Sequence, residues 1–258
     1  MGQRKMGIIV NGATGGLANH QHLPALVAIR KEGGVQLANG DNVGLELLLV
    51  ARREQELSQV AKTWVAEGWT TDLDTALSSA DHQLFFDASA TGLRQRVVGR
   101  AIEAGKHVYC EKPVATNLAD AMALAKAATE AKVCNGVVQD KIFLPGFRKL
   151  KRLKDSGYFG RILEARLEFG RWIFDGETQT AQRPSWNYRK RDGGGLVLDM
   201  FPHWRYLVEQ LVGDIEAVSC TCRTHIPRRR DEQGDRYDVD VEDAAFAQLE
   251  FGVASSAA

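Results

Sequence analysis

Asp199 and His203 stand four residues apart in the run Gly193-Gly194-Gly195-Leu196-Val197-Leu198-Asp199-Met200-Phe201-Pro202-His203. If that run is helical, both side chains leave one face, and a carboxylate can orient an imidazole for proton exchange. Local readings compete: Asp199 can cap a helix ahead of Pro202, His203 can be an ordinary interior or surface side chain, and the glycines can form a flexible loop. A second constellation lies near the amino terminus, where Gly12-x-x-Gly15-Gly16 follows an apolar run at 6–10 and precedes a helical stretch at 23–31. Small residues there let backbone N–H groups approach a pyrophosphate at a helix N-terminus, making Gly12, Thr14, Gly15 and Gly16 candidate cofactor contacts. Thr14 replaces the second glycine of the usual G-x-G-x-x-G, and a plain strand-to-helix turn is the alternative. Beyond the second expected strand stand Arg52 and Arg53, not the acid that binds a free ribose 2′-hydroxyl. Two cations favour a 2′-phosphate and hence NADP(H), with NAD as the alternative; exposed arginines opening a helix would explain them without a ligand.

These residues need elements to carry them. Apolar runs bounded by turn signals predict strands at 6–10, 45–51, 83–87, 107–110 and 133–139. Helical stretches fall at about 23–31, 54–67, 92–104 and 117–131, the last alanine-rich and capped by Asn117, with an inserted loop at 32–44. Alternation of this kind over residues 1–140 predicts an α/β Rossmann domain, a doubly wound parallel sheet covered on both faces. Past residue 140 the pattern changes to a basic helix at 144–155 and longer alternating strands at 162–172, 216–222 and 244–251. Residues 141–258 are therefore expected to form an α+β second domain with a mainly antiparallel open sheet. So few strands leave a thin sheet, which points to a truncated domain and a chain that is a fragment. The tail at 254–258 consists of small residues.

Composition narrows the function classes. With 33 basic and 33 acidic residues, the chain has no net charge to hold a nucleic-acid backbone. The cysteines at 110, 134, 220 and 222 form no C-x-x-C pair and no metal-ligand spacing with the six histidines. Neither a zinc site nor a disulfide framework is expected, and a reducing cytoplasm fits best. The apolar run at 7–10 is too short for a signal or a membrane span.

Residues 107–113, His-Val-Tyr-Cys-Glu-Lys-Pro, form a predicted strand ending in Glu111-Lys112-Pro113. This closely resembles the signature of the glucose-fructose oxidoreductase / inositol dehydrogenase (Gfo/Idh/MocA) family. The preceding Ala-Ile-Glu-Ala-Gly-Lys-His at 101–107 and the Asn117 helix look like the same family segment. The glycines followed by Asp199-x-x-x-His203 are similar to its second signature. The resemblance spans nearly the whole chain, and such relatives normally continue well past this length. It implies an NAD(P)-dependent oxidoreductase moving a hydride between nicotinamide and a small hydroxylated substrate, namely a sugar, a sugar derivative or a cyclitol.

Such chemistry needs a base near the reacting hydroxyl and a cation for the charge that develops on its oxygen. Lys112, at the carboxyl end of a parallel strand, can polarise the oxygen, and burial beside a positive nicotinamide would lower its pKa. His203 then exchanges the proton and Asp199 holds or tunes the pair. A solvated lysine is the ordinary alternative for Lys112. By resemblance Glu111 and Lys112 also contact the cofactor, and the Lys112–Pro113 bond is cis. Lys141, Trp186, Asn187, Arg189 and His203 are, again by resemblance, substrate contacts; packing for Trp186 and a solvated basic helix face for Lys141 are the plainer readings. Arg228 to Arg230 reads as an exposed loop. A homo-oligomer is the default for such enzymes. Two rival functions stand beside this one. The Asn-Gly-Ala-Thr-Gly-Gly-Leu turn at 11–17 resembles that of atypical short-chain dehydrogenases, but no tyrosine has a lysine four positions on. A non-catalytic cofactor-sensing regulatory protein of the same fold would not need Lys112, Asp199 and His203 together.

Overall fold

The computed structural model describes residues 3–170 and 183–252. The chain divides into two compact units, Met1–Val138 and Gln139–Ala258. The first contains β1 (Gln3–Asn11), α1 (Leu23–Lys31), β2 (Val35–Gln36), β3 (Asn42–Val50), α2 (Glu54–Trp64), β4 (Gly68–Thr70), α3 (Leu73–Ser78), β5 (His82–Asp87), α4 (Thr91–Glu103), β6 (His107–Cys110), α5 (Leu118–Glu130) and β7 (Asn135–Val137). Its seven-stranded sheet runs β2-β3-β1-β5-β6-β7, with β4 also paired to β3. Every pairing is parallel except β2 with β3.

The order β4-β3-β1-β5-β6-β7 is the doubly wound arrangement, whose direction reverses between β1 and β5. Ligands of such sheets bind outside the carboxyl ends of the strands at that reversal. Alternation along β1 explains why both faces are covered. Ile8 and Val10 pack with Leu47, Leu49, Leu23 and Leu57 on one side. Ile9 packs with Phe85, Val98, Ile102 and Leu124 on the other. A near-continuous apolar strand is what burial on both faces requires, and each such side chain contributes about 1.5–3 kcal/mol.

Several boundaries follow the sequence expectation closely, among them α1, β6 and α5, whose Asn117 cap accepts from the Asp120 amide at 2.9 Å. β4 and α3 were not expected. Three and six residues long, they are too short to carry a period, although Asp72 caps α3 by accepting from the Asp74 amide. A π-helical turn, Ala18–His22, leads into α1.

The second unit contains a 3₁₀ turn (Asp140–Phe143), α6 (Pro145–Asp155), α7 (Leu196–Leu211), β8 (Ile215–Arg223), β9 (Arg228–Arg230), β10 (Arg236–Asp238) and β11 (Ala244–Phe251). β8 pairs antiparallel with β11, and β9 with β10. Two expectations are corrected here. The strand predicted over 162–172 is absent from residues 162–170, and 171–172 lie outside the described residues, as does the whole small-residue tail at 254–258. Leu163, Leu167 and Phe169 alternate but stay exposed, and with no strand beside them among the described residues the alternation forms no ladder. Arg228 to Arg230 is a strand and not an exposed loop, because Arg229 is only 3% exposed, with its guanidinium 4.0 Å from the Tyr188 ring centre and 3.5 Å from Asp243. Among the described residues, no helix is long and apolar enough to cross a membrane.

Candidate active site

At the carboxyl end of β1 the chain turns sharply. The Gly12 and Ala13 amides both donate to the Val50 carbonyl, at 2.9 and 3.2 Å, and the Gly15 amide donates to the Gly12 carbonyl at 2.8 Å. Gly12 has φ +76°, and a Cβ there would lie 2.8 Å from the Ser89 nitrogen, so only glycine fits. Ser89 follows β5, and its buried hydroxyl has no hydrogen-bond partner among the described residues. Thr14 is half-buried, while Gly15 and Gly16 are exposed. A close-approach turn beside an orphaned hydroxyl, at the reversal point of the sheet, fits the pyrophosphate portion of a dinucleotide. At the end of β3, Arg52 and Arg53 are both exposed, and Arg53 pairs with Glu56 at 2.7 Å.

The Glu-Lys-Pro segment follows β6 and is held by buried polar contacts. Glu111 is buried; one carboxylate oxygen lies 2.6 Å from His22 Nε2, and the other accepts from the Lys112 amide at 3.2 Å. His22 in turn stands edge-on to Phe86, with ring centres 4.7 Å apart. Lys112 is half-buried and its bond to Pro113 is cis. Arg94, 2% exposed, donates from Nε to Asp87 at 3.0 Å, from Nη2 to the Ser89 carbonyl at 2.7 Å, and from Nη1 to the Pro113 carbonyl. Asp87 also accepts from Asn11 Nδ2 at 2.7 Å. One guanidinium thus ties the segment bearing Lys112 to the ends of β1 and β5. Sequence reading missed Arg94, yet a signal existed: it shares the buried stripe of α4 with Val97, Val98, Ala101 and Ile102, a cation where only apolar side chains belong.

In the second unit α7 carries Asp199 and His203, both buried. Its N-terminus is made by residues distant in sequence. Glu242 accepts from the Val197 amide through Oε1 at 2.8 Å, and its carbonyl accepts from Leu196 at 3.1 Å. A negative group there also complements the helix dipole. Asp199 is therefore not the cap; its own amide already bonds the Gly195 carbonyl inside the helix at 3.0 Å. Nor are the glycines merely a flexible loop. A Cβ on Gly194 would lie 2.5 Å from the Asn187 carbonyl, and one on Gly195 2.8 Å from Glu242.

Asp199 pairs with Arg183 at 2.5 Å. His203 Nδ1 is 2.6 Å from the Tyr206 hydroxyl, and Asp140 Oδ1 lies 3.6 Å from that nitrogen and 3.5 Å from the hydroxyl. The Lys141 amide donates to the same hydroxyl at 3.2 Å, while its ammonium pairs with Asp140 Oδ2 at 2.5 Å. Burial pushes the Asp140 carboxyl up, but the hydrogen bond and charge of Lys141, together with nearby His203, outweigh it and hold the group below its ordinary value. Tyr206 and Asp140 were missed by sequence reading, although Tyr206 sits at i+3 from His203 on the same helix face.

A cavity of about 210 Å³ opens beside Asp199, walled by Arg183, Asn187, Arg229, Glu242 and Asp243 among others. Asn187 is buried; its Nδ2 donates to the Pro184 carbonyl at 3.2 Å, and its Oδ1 has no partner among the described residues. Of the other expected substrate contacts, Trp186 is exposed, and the Arg189 guanidinium lies 4.4 Å from the Tyr237 ring centre and 3.7 Å from Asp231. Lys141 lies in the 3₁₀ turn and not on the basic helix.

Comparison with known proteins follows the same division. Residues 6–139 match the GFO/IDH/MocA model described as the oxidoreductase family, NAD-binding Rossmann fold, and residues 147–257 match the GFO/IDH/MocA C-terminal domain. A D-xylose dehydrogenase of Paenarthrobacter nicotinovorans is 45% identical over 244 residues, covering 94% of this chain and 63% of that protein. Levoglucosan dehydrogenase in complex with NADH and levoglucosan superposes with a TM-score of 0.77 at 20% identity, over 96% of this chain and 64% of that one. An NAD-binding oxidoreductase from Klebsiella pneumoniae gives 0.81 at 23% identity, over 96% and 63%. The chain thus spans less than two thirds of the length of these proteins.

Proposed function

The chain belongs to the Gfo/Idh/MocA family of oxidoreductases, and from that membership we propose that it works as an NADP(H)-preferring dehydrogenase or reductase of a sugar or related polyol. A pentose such as D-xylose is the leading substrate, in keeping with the name of the 45%-identical relative. The observation that carries the reading is the buried frame around Lys112, in which Arg94, Asp87 and Glu111 hold a cation-bearing turn at the carboxyl end of β6.

A nicotinamide cofactor, when bound, supplies the hydride acceptor. The Gly12 to Gly16 turn and Ser89 would hold its pyrophosphate side, Arg52 and Arg53 its 2′-phosphate, and Glu111 with Lys112 its reactive end. The Lys112 ammonium stabilises negative charge developing on the substrate oxygen. With Nδ1 of His203 engaged by Tyr206, proton exchange with the substrate hydroxyl runs through Nε2. Asp199, fixed by Arg183, and Asn187, whose Oδ1 needs a donor, offer partners to sugar hydroxyls; Trp186, Lys141 and Arg189 line the same substrate region in this reading. Four free thiols among the described residues fit a reducing, cytoplasmic setting.

NAD is the second reading of the cofactor, favoured by the Arg53–Glu56 pair, which already occupies one of the two cations. The test is direct. NADPH and NADH affinities are measured by fluorescence and turnover is followed on a panel of pentoses, hexoses and cyclitols. His203→Ala should lower kcat by about a hundredfold to ten-thousandfold. Arg52→Ala should weaken NADPH alone, and equal weakening of both nucleotides would refute the 2′-phosphate assignment. A folded chain that binds neither nucleotide refutes the whole reading.

A further inference from the structure

Among the described residues the Tyr206 hydroxyl meets His203, Asp140 and the Lys141 amide, and elementary hydrogen-bond accounting restricts how those three can be joined to it. The Lys141 amide can only donate, so it occupies one lone pair of the phenolic oxygen. Two arrangements join these groups. Either the phenol donates to His203 Nδ1, leaving the ring protonated at Nε2, or Nδ1–H donates to the phenol and the phenolic proton turns to Asp140. Asp140 has its oxygens divided between two partners: Oδ2 takes the Lys141 ammonium, and Oδ1 faces the phenol and the imidazole. Its carboxyl is held below the ordinary value, so at neutral pH it is an anion that draws the phenolic proton towards itself.

We infer that Tyr206 is the positioning residue for His203, an interposed phenol that relays the pull of Asp140 to Nδ1 and so leaves Nε2 as the proton-accepting nitrogen. The inference rests on the proposed role of His203 and deepens it. His203, Tyr206 and Asp140 form a chain of the imidazole–orienter–carboxylate kind, with Tyr206 taking the place that a carboxylate would occupy beside the ring. When Nε2 takes the hydroxyl proton, the imidazolium keeps its Nδ1–H bonded to the phenolic oxygen, and the Asp140 charge stabilises it through that oxygen. No proton leaves the chain, and the hydride goes to the nicotinamide. Tyr206 is 5% exposed and His203 also 5%, so water does not substitute freely for the phenol.

Tyr206→Phe removes the hydroxyl and keeps the ring. In full-length wild type, imidazole ¹⁵N spectra should show neutral His203 protonated at Nδ1. In Tyr206→Phe the ring should move to the Nε2–H form that free histidine prefers. With sugar and nucleotide, kcat should fall by about tenfold to a hundredfold, the worth of one hydrogen bond to a charged group, with KM unchanged. Asp140→Asn should lower kcat by a smaller factor. In a His203→Ala background Tyr206→Phe should cost nothing more. Unchanged His203 nitrogen shifts in Tyr206→Phe overturn the inference, and so does a loss that persists without His203. If wild type oxidises no sugar, the functional reading fails, while the nitrogen spectra still decide what Tyr206 does.

Discussion

Replacing Asp87 by asparagine should loosen the Lys112 turn from a fully buried position at the end of β5. Asp87 has no solvent exposure and Arg94 only 2%. Asparagine can keep an amide oxygen where Oδ1 accepts from Asn11 and the Ser89 amide, but its NH₂ then faces Arg94 Nε, donor against donor. The guanidinium stays buried with only the Ser89 and Pro113 carbonyls to balance it. Removing one partner of a buried pair costs about 3–5 kcal/mol, against a total stability of about 5–15 kcal/mol. The unit should remain folded but yield first at the ends of β1 and β5. Hydrogen exchange read by mass spectrometry should show amide protection in those strands reduced by about a hundredfold to a few thousandfold. Arg94→Gln removes the other charge, so Asp87→Asn combined with Arg94→Gln should cost less than the sum of the two changes, with a coupling of about 0.5–3 kcal/mol. Protection within about 0.5 kcal/mol of wild type in Asp87→Asn would refute the argument, because that is the spread of inconsequential surface changes. Strict additivity in the double variant would refute it equally.

Three further outcomes are expected. Glu242→Ala deprives Val197 of its acceptor and should destabilise α7 by about 0.5–2 kcal/mol, seen as faster exchange at 196–199, whereas Glu242→Gln should recover part of the loss; identical exchange in all three proteins contradicts the cap. Burial pushes the Cys110 thiol up to about 11, so iodoacetamide at pH 8 should label exposed Cys134 and Cys220 and spare Cys110 until urea is added. Peptide mapping that finds Cys110 labelled at their rate counts against that burial. Asp140 lies below its ordinary value when folded, so its contribution to stability is complete above the ordinary carboxylate range and is lost as pH falls through the folded value. Thermal melts of Asp140→Asn should therefore show a flatter acid limb below about pH 4 than wild type, and parallel limbs would contradict the assignment.

What the sequence could reveal depended on whether the deciding contact was local. β3 and β6 were legible because an apolar or alternating run and its bounding turn residues lie side by side in the sequence. β4 and α3 were not, being shorter than any period. Residues 162–170 mislead in the opposite sense, since their alternation is real but pairs with no strand among the described residues. Asp199 and His203 were legible as a same-face pair, because helical spacing is a local property. The partners the structure gives them were less so: Arg183 lies 16 residues before Asp199, and Asp140 lies 66 residues before Tyr206. The three glycines invited a loop reading because what confines Gly194 and Gly195 is the Asn187 carbonyl and the Glu242 carboxylate, neither visible from the run itself.

The same contrast bears on how the two groups proposed to react are held. Lys112 belongs to a seven-residue signature, yet its turn is tied down by Arg94, whose bond to the Pro113 carbonyl spans 19 positions, and by His22 on Glu111, which spans 89. His203 belongs to another short signature, yet α7 is capped by Glu242 across 45 positions. A motif match therefore reports the group proposed to react and not the frame that orients it. Misplacing a reacting group by about 1 Å can cost about a hundredfold in rate, so the frame matters to turnover as much as the motif does. A relative that keeps Glu-Lys-Pro and Asp-x-x-x-His but replaces Arg94 and Glu242 with apolar residues should, on this reasoning, bind nucleotide and turn over slowly. Restoring only Arg94 and Glu242 in such a relative should raise kcat with little change in KM, and a gain confined to KM would show that these two residues shape binding and not orientation.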